Sequence, residues 1–315
     1  MVTINLSDVP VHDTVMLESG LQTTATIRRK LIAEQLLYEN SNLLAIGTKL
    51  LDQVWTDDLE FRFAIPGEIE YHYDVPEGVG PQELEHVEHV HLGGRIKKGY
   101  ISWGQTIEAG IRGNVKYQNS ITQRQAELAL AKKIDAHILD AILAGAGATT
   151  VTVDTNAKWS GTGLHTPNIV GDVAQAYNNI FSESNVSVEE MRNLALIIPA
   201  SVYGNVITVS EINNIVQSLE QYFKTSFGLR VYPTRDTDFA NKALLMVTGQ
   251  QTGFFGRLRP QAIRAAGHQS TWLEQKVGIG WVYTSIQFWG AFINPYPNTG
   301  STTTRICVID KILTD

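Results

Sequence analysis

One cysteine, Cys307, is all that 315 residues contain. That excludes an intramolecular disulfide and a thiolate metal cluster, and makes a reducing compartment the expectation. Basic runs are missing too. Arg28-Arg29-Lys30 and Lys97-Lys98 are short clusters, and the net charge is −7. A protein that grips nucleic acid by its phosphates shows a basic stripe, so that class is excluded, although one that merely encloses nucleic acid is not. No apolar run approaches the roughly 20 residues that cross a bilayer. The start, Met1-Val2-Thr3-Ile4-Asn5, lacks the regions of a signal peptide, so a soluble chain made in the cytosol is expected. Catalytic motifs are equally scarce. There is no phosphate loop and no Gly-x-Ser-x-Gly elbow. Gly278-Ile279-Gly280 and Gly161-Thr162-Gly163 lack the spacing of a dinucleotide fingerprint. Glu189-Glu190 and Asp57-Asp58 sit in polar surroundings. Neither an enzyme nor a cofactor is expected.

What is present is a contrast between neighbouring segments. Residues 66–110 alternate with a period of two, Ile69, Tyr71, Tyr73 and Val75 on one face against Glu70, His72 and Asp74 on the other. The ribbon turns through Pro76–Pro81 and returns through Arg95–Trp103. A two-stranded arm is marginal in water because neither face is fully covered. Another copy of the chain is the natural cover. Residues 120–144 read instead as one long helix, opened by Ser120-Ile121-Thr122-Gln123 as a capping box and closed by Gly145 and Gly147. Its inward stripe is Ile121, Leu128, Ala131, Ile134, Ile138 and Ile142.

The remaining pattern is mixed. Residues 1–23 suggest an extended arm, followed by helices near Thr24–Tyr38 and Ser41–Trp55. Residues 150–168 read as loop. Helices are expected near Asn168–Ser182, Ala200–Ile207 and Ser210–Phe223. Strands are expected at Asn193–Ile198, Leu229–Tyr232, Ala243–Val247, Gly253–Phe255, Ala262–Ala266, Glu274–Trp289 and Thr303–Ile309.

Chemistry concentrates in Glu85-His86-Val87-Glu88-His89-Val90-His91. On a strand His89 and His91 share a face and His86 lies on the other, so at most two imidazoles converge locally. Zinc takes three or four ligands, and a solvated polar face is the plainer reading. Several histidines in an intersubunit contact would also charge together as pH falls through about 6.5. A His-dependent metal hydrolase built on His86, His89 and His91 is the competing class.

The order of these parts resembles the Hong Kong 97-type major capsid protein of tailed double-stranded DNA viruses. Glu77-Gly78-Val79-Gly80-Pro81 with Glu83 and Glu85 is similar to the tip of that family's extended loop, and Lys97–Gly110 to its return strand. Ser120–Gly147 is similar to its spine helix. Leu196-Ile197-Ile198-Pro199-Ala200 and Gly228–Pro233 resemble steps of its axial domain. The resemblance covers about residues 24–310 and implies an α+β fold. Its parts would be an N-terminal arm and short helices over 1–58, an extended β-arm over 59–110 and a peripheral domain with the spine helix over 111–164. An axial domain would take 165–255, and C-terminal strands 256–315.

By the same resemblance, copies would close through pentamers and hexamers into an icosahedral shell around double-stranded DNA, without sequence-specific contacts. Scaffold, portal or cement proteins are possible further partners, no membrane is involved, and the chain would reside in a virion capsid assembled in the host cytoplasm. The runner-up is an encapsulin shell around an enzyme cargo. Expected intersubunit contacts are Tyr71, Tyr73, Glu77, Glu83, Lys97, Lys98, Tyr100 and Trp103. Some family members cross-link through a lysine near the loop tip. Glu77–Glu88 has no lysine, so a non-covalent shell is expected.

Overall fold

The computed structural model describes residues 37, 39–41, 44–65, 90–106, 108, 115–147, 149–160, 167–182, 186–207, 209–212, 215–267, 270–276, 280–295 and 303–313. In chain order the strands are β1 (Asp52–Thr56), β2 (Glu60–Ile65), β3 (Val90–Arg95), β4 (Lys97–Thr106), β5 (Thr150–Thr152), β6 (Leu194–Pro199), β7 (Val209–Ile212) and β8 (Ile215–Ser218). They continue with β9 (Arg230–Thr234), β10 (Lys242–Val247), β11 (Gly253–Leu258), β12 (Thr271–Lys276), β13 (Gly280–Ile293) and β14 (Ile306–Asp310). The α-helices are α1 (Val115–Gly145), α2 (Ile169–Phe181), α3 (Ala200–Ile207), α4 (Leu219–Ser226) and α5 (Pro260–Ala265). Two compact units result. One comprises Met1–Leu59, Ile96–Leu139 and Phe255–Ala291; the other comprises Glu60–Arg95, Asp140–Phe254 and Phe292–Asp315.

The first unit is built on a sheet in the order β1-β11-β13-β12, with β4 also paired to β13. Most of α1 belongs to this unit. At 31 residues and 1.5 Å each the helix is about 46 Å long. It starts at Val115 rather than Ser120, so Ser120 lies inside it. Its buried stripe is Ala126, Leu130, Ala131, Ile134, Ile138 and Leu139, while Ile121 and Leu128, expected inward, are 38% and 40% exposed. The segment before β1 is not the helix expected over Ser41–Trp55. It ends in a 3-10 turn at Gly47–Lys49 and passes into β1.

That turn is clamped on α1. Asn40 donates to Glu127 at 2.8 Å, and the Gly47 amide donates to Asp135 at 2.7 Å. Gly47 lies so close to Ile138 that an added Cβ would come within 2.7 Å of its Cδ1, leaving room for no larger residue. Burial holds Asp135 above the ordinary carboxylate value of 3.8, at about 6, against the lowering pull of the Gly47 and Ile46 amides and Lys49.

The second unit centres on the sheet β5-β14-β10-β6-β9. β6 (Leu-Ala-Leu-Ile-Ile-Pro) is buried at every position, as a strand covered on both faces must be. It pairs antiparallel with β10 and parallel with β9, and β10 pairs antiparallel with β14. α2 buries Ile169, Val173, Ala176 and Ile180 at helical spacing into the same core as Val202 and Val206 of α3 and Phe223 of α4. Each of these side chains other than Ala176 contributes about 1.5–3 kcal/mol.

Three readings fail here. Part of the expected 150–168 loop is β5, parallel to β14, followed by the fully buried Trp159, whose Nε1 donates to Asp172 at 2.7 Å. The expected helix over Ser210–Phe223 is the hairpin β7–β8 followed by α4, with Ser218 as its cap. In the first unit, Ala262–Ala266 is not a strand, because Pro260 starts α5 there.

Candidate assembly interface

The segment that frames the arm is built by backbone pairing. β2 and β3 form a two-stranded antiparallel sheet running in register from Glu60↔Arg95 to Ile65↔Val90. At its base Gly94 sits against the ring of Phe292, where a Cβ would collide with the ring. Between the paired ends Ile65 and Val90 lie 24 residues. They contain Tyr71, Tyr73, Glu77, Glu83, His86 and His89, all outside the described residues. His91 occupies the register position opposite Ala64.

The return strand takes a different course from the expected ribbon. Among the described residues, the outgoing strand β2 pairs with β3 rather than with Lys97–Thr106. Lys97–Thr106 pairs with β13 over ten positions, from Lys97↔Trp289 to Thr106↔Gly280. The reason is visible in the alternation. Ile101 and Trp103 need a covered face, and a two-stranded arm offers none. Trp103 stacks on its register partner Tyr283 at 5.5 Å and is 7% exposed. Within the single chain its ring is thus covered by its own sheet. Lys97, Lys98 and Tyr100 are exposed, Tyr100 at 79%.

The opposite face of this sheet carries what the sequence reading missed. Residues directly opposite on antiparallel strands share a face, so Lys98 pairs with Phe288, Tyr100 with Ile286, and Ser102 with Thr284. Ser102 and Thr284 share a hydroxyl hydrogen bond at 2.9 Å, and Thr284 faces Trp272 across β12. Ile286, Phe288 and Trp272 are half-buried. The alternation of Trp281–Phe288 was the available signal.

Ionisable groups elsewhere are structural. Glu190 takes Arg305 in a buried fork, with Nε to Oε2 at 2.9 Å. Burial pushes the Cys307 thiol up to about 11, which keeps it protonated and unreactive. Asp172 is raised by burial, which the Trp159 indole partly offsets. Among the described residues one acidic group could crowd a cation, Asp140 with Asp236 and Asp238, but Asp236 already caps its own turn by accepting from the Asp238 amide at 3.1 Å. No described helix is long and apolar enough to cross a membrane.

No family model and no curated protein matches the sequence. Solved structures do match. A virus-like particle protein from Pyrococcus furiosus is 14% identical with TM-score 0.58, over 88% of this chain and 98% of that one. The capsid protein of the native GTA particle is 10% identical with TM-score 0.56, over 93% and 92%. A phage-related protein from Bordetella bronchiseptica is 12% identical with TM-score 0.53, over 88% and 96%. Across nearly its whole length, this chain has the Hong Kong 97-type capsid fold.

Proposed function

We propose that this chain is a major capsid subunit, assembling through pentamers and hexamers into an icosahedral shell that encloses double-stranded DNA. The observation that carries the reading is the likeness to shell proteins over almost the full length of both chains. A fold shared piecemeal would not extend to 98% of the other chain. The two-stranded sheet β2–β3, with 24 further residues between its ends, supports it as well. Such a ribbon gains stability only by lying on something else, and a shell supplies copies of itself. The −7 charge suits retention of DNA by enclosure rather than by phosphate contacts.

The role is structural, without catalysis. Partners are other copies of the chain, with scaffold, portal or cement proteins around them, and the protein's place is the virion capsid. The shell is non-covalent, since Glu77–Glu88 has no lysine. The second reading, a nanocompartment around a protein cargo, is kept because a virus-like particle is among the similar structures.

Electron microscopy of the purified chain tests the class: closed shells are expected, and a small soluble oligomer under all assembly conditions would overturn it. Nuclease-protected double-stranded DNA in particles from the native source selects the virus; a uniform protein filling selects the compartment. A ladder of linked subunits on a denaturing gel would refute the non-covalent shell.

A further inference from the structure

Residues 44–51, with Asn40 ahead of them, lie as a strap along α1 inside the first unit. Its hold is of two kinds. Ala45, Leu50 and Leu51 are buried, as is Leu37 upstream, and this apolar anchorage does not depend on pH. The other kind is polar and centres on Asp135. The Gly47 amide donates to its Oδ1 at 2.7 Å, the Ile46 amide bonds to it as well, and Gly47 is pressed so close to Ile138 that no methyl fits between strap and helix. A carboxyl covered in this way has given up water for two amides; when the strap lifts, it regains water. Closing the strap over an ionised Asp135 therefore carries a desolvation cost that closing it over a neutral one does not, and the neutral carboxyl still accepts the Gly47 amide.

The described charges around Asp135 do not cancel that cost. Lys49 faces it from the strap and is exposed, so water screens it. On α1 the neighbour one turn earlier is Lys132, also exposed, while Lys133 and His137, two residues to either side, do not face it. Glu127, the strap's other polar anchor, is engaged by Asn40, Gln123 and Arg124. We infer that residues 44–51 are a pH-sensitive strap, fastened to α1 while Asp135 carries a proton and opening locally, ahead of the rest of the unit, once Asp135 ionises. Each opening is brief, because the buried leucines draw the strap back; pH sets how often it lifts. The folded carboxyl lies at about 6 and the open one at its ordinary 3.8, so the extra hold is complete below pH 3.8 and is lost as pH rises through about 6. Between pH 5 and pH 7.5 the open fraction grows about tenfold, then stays level. At neutral pH the chain upstream of the strap is the more loosely tethered, and Ile138 is the more often bared.

Hydrogen exchange of the full chain, read by mass spectrometry at pH 5, 6 and 7.5 with the intrinsic rate at each pH divided out, tests the strap. The reporters are peptides covering 44–51, where the amides of Ala45, Gly47, Lys49, Leu50 and Leu51 are all hydrogen-bonded. Amides of β13, in the same unit over most of its length, mark opening of the unit as a whole. In the wild type the strap is expected to exchange about tenfold or more faster than β13, and to lose about tenfold in protection between pH 5 and pH 7.5. Asp135→Asn, which cannot ionise, should keep the local opening and lose its pH dependence. Strap amides that exchange no faster than those of β13 overturn the local opening. A flat wild-type profile, or the same slope in Asp135→Asn, overturns the role of Asp135. Should Asp135→Asn not fold, the wild-type profile decides alone: a loss of protection centred near pH 6 upholds the strap, and a flat profile or one centred elsewhere removes it.

Discussion

Asp135 allows a quantitative test of how the segment before β1 is fastened to the long helix. Its carboxylate accepts from the Gly47 amide at 2.7 Å yet is held at about 6, above its ordinary 3.8, because burial outweighs its partners. The folded state therefore binds this proton more tightly than the unfolded chain does. Stability from the group is fully present below pH 3.8 and is lost as pH rises through about 6. Two units correspond to about 3 kcal/mol, a ceiling that partial exposure reduces. Asp135→Asn keeps an oxygen to accept the Gly47 amide and removes the charge. The stability difference between variant and wild type should move in the variant's favour by about 1–3 kcal/mol between pH 4 and pH 7.5, then stay level. Urea unfolding of unassembled subunits, followed by tryptophan fluorescence across that range, reads it directly. Other titrating groups cancel in the difference. A difference that is flat within about 0.5 kcal/mol would mean that desolvation does not dominate at this carboxylate, and the reasoning fails.

Three further perturbations follow from the packing. Glu190→Ala removes the carboxylate that the buried Arg305 guanidinium donates to and should cost about 3–5 kcal/mol by denaturant unfolding, while Glu190→Leu with Arg305→Met should recover most of it. Gly47→Ala pushes a methyl onto Ile138 and should cost about 1–3 kcal/mol, with faster hydrogen exchange over residues 44–51 as the local signature. Trp159→Phe removes the donor to Asp172 and should cost about 1–3 kcal/mol. Because the indole lowers the Asp172 pKa, the variant should also raise it further, which carboxylate NMR titration would detect.

The sequence was readable where local signals agree with burial. α2 runs between Asn168 and Ser182 as expected, α3 covers Ala200–Ile207, and β6 and β10 follow their apolar runs. Where local signals conflicted, the tertiary setting decided. Ser120-x-x-Gln123 mimics a helix start, but nothing in Val115–Asn119 breaks the helix. Ile212, Ile215, Val216 and Leu219 sit at helical spacing, yet the two-residue link Asn213-Asn214 between paired Ile212 and Ile215 is hairpin chemistry. Buried Glu127 could not be foreseen, because one of its partners, Asn40, is 87 residues away. Along β4, parity was the neglected clue. Tyr100 and Trp103 are three apart and so must face opposite sides of a strand, one toward solvent and one inward.

The position of β14 has a temporal consequence. Residues 306–310 are the last strand of their sheet to leave the ribosome, yet they form its interior, joining β5 on one side and β10 on the other. A nascent chain that has reached residue 300 thus holds every other strand of that sheet, with the edge strand β5 cut off from β10. The sheet can close only when synthesis passes this point.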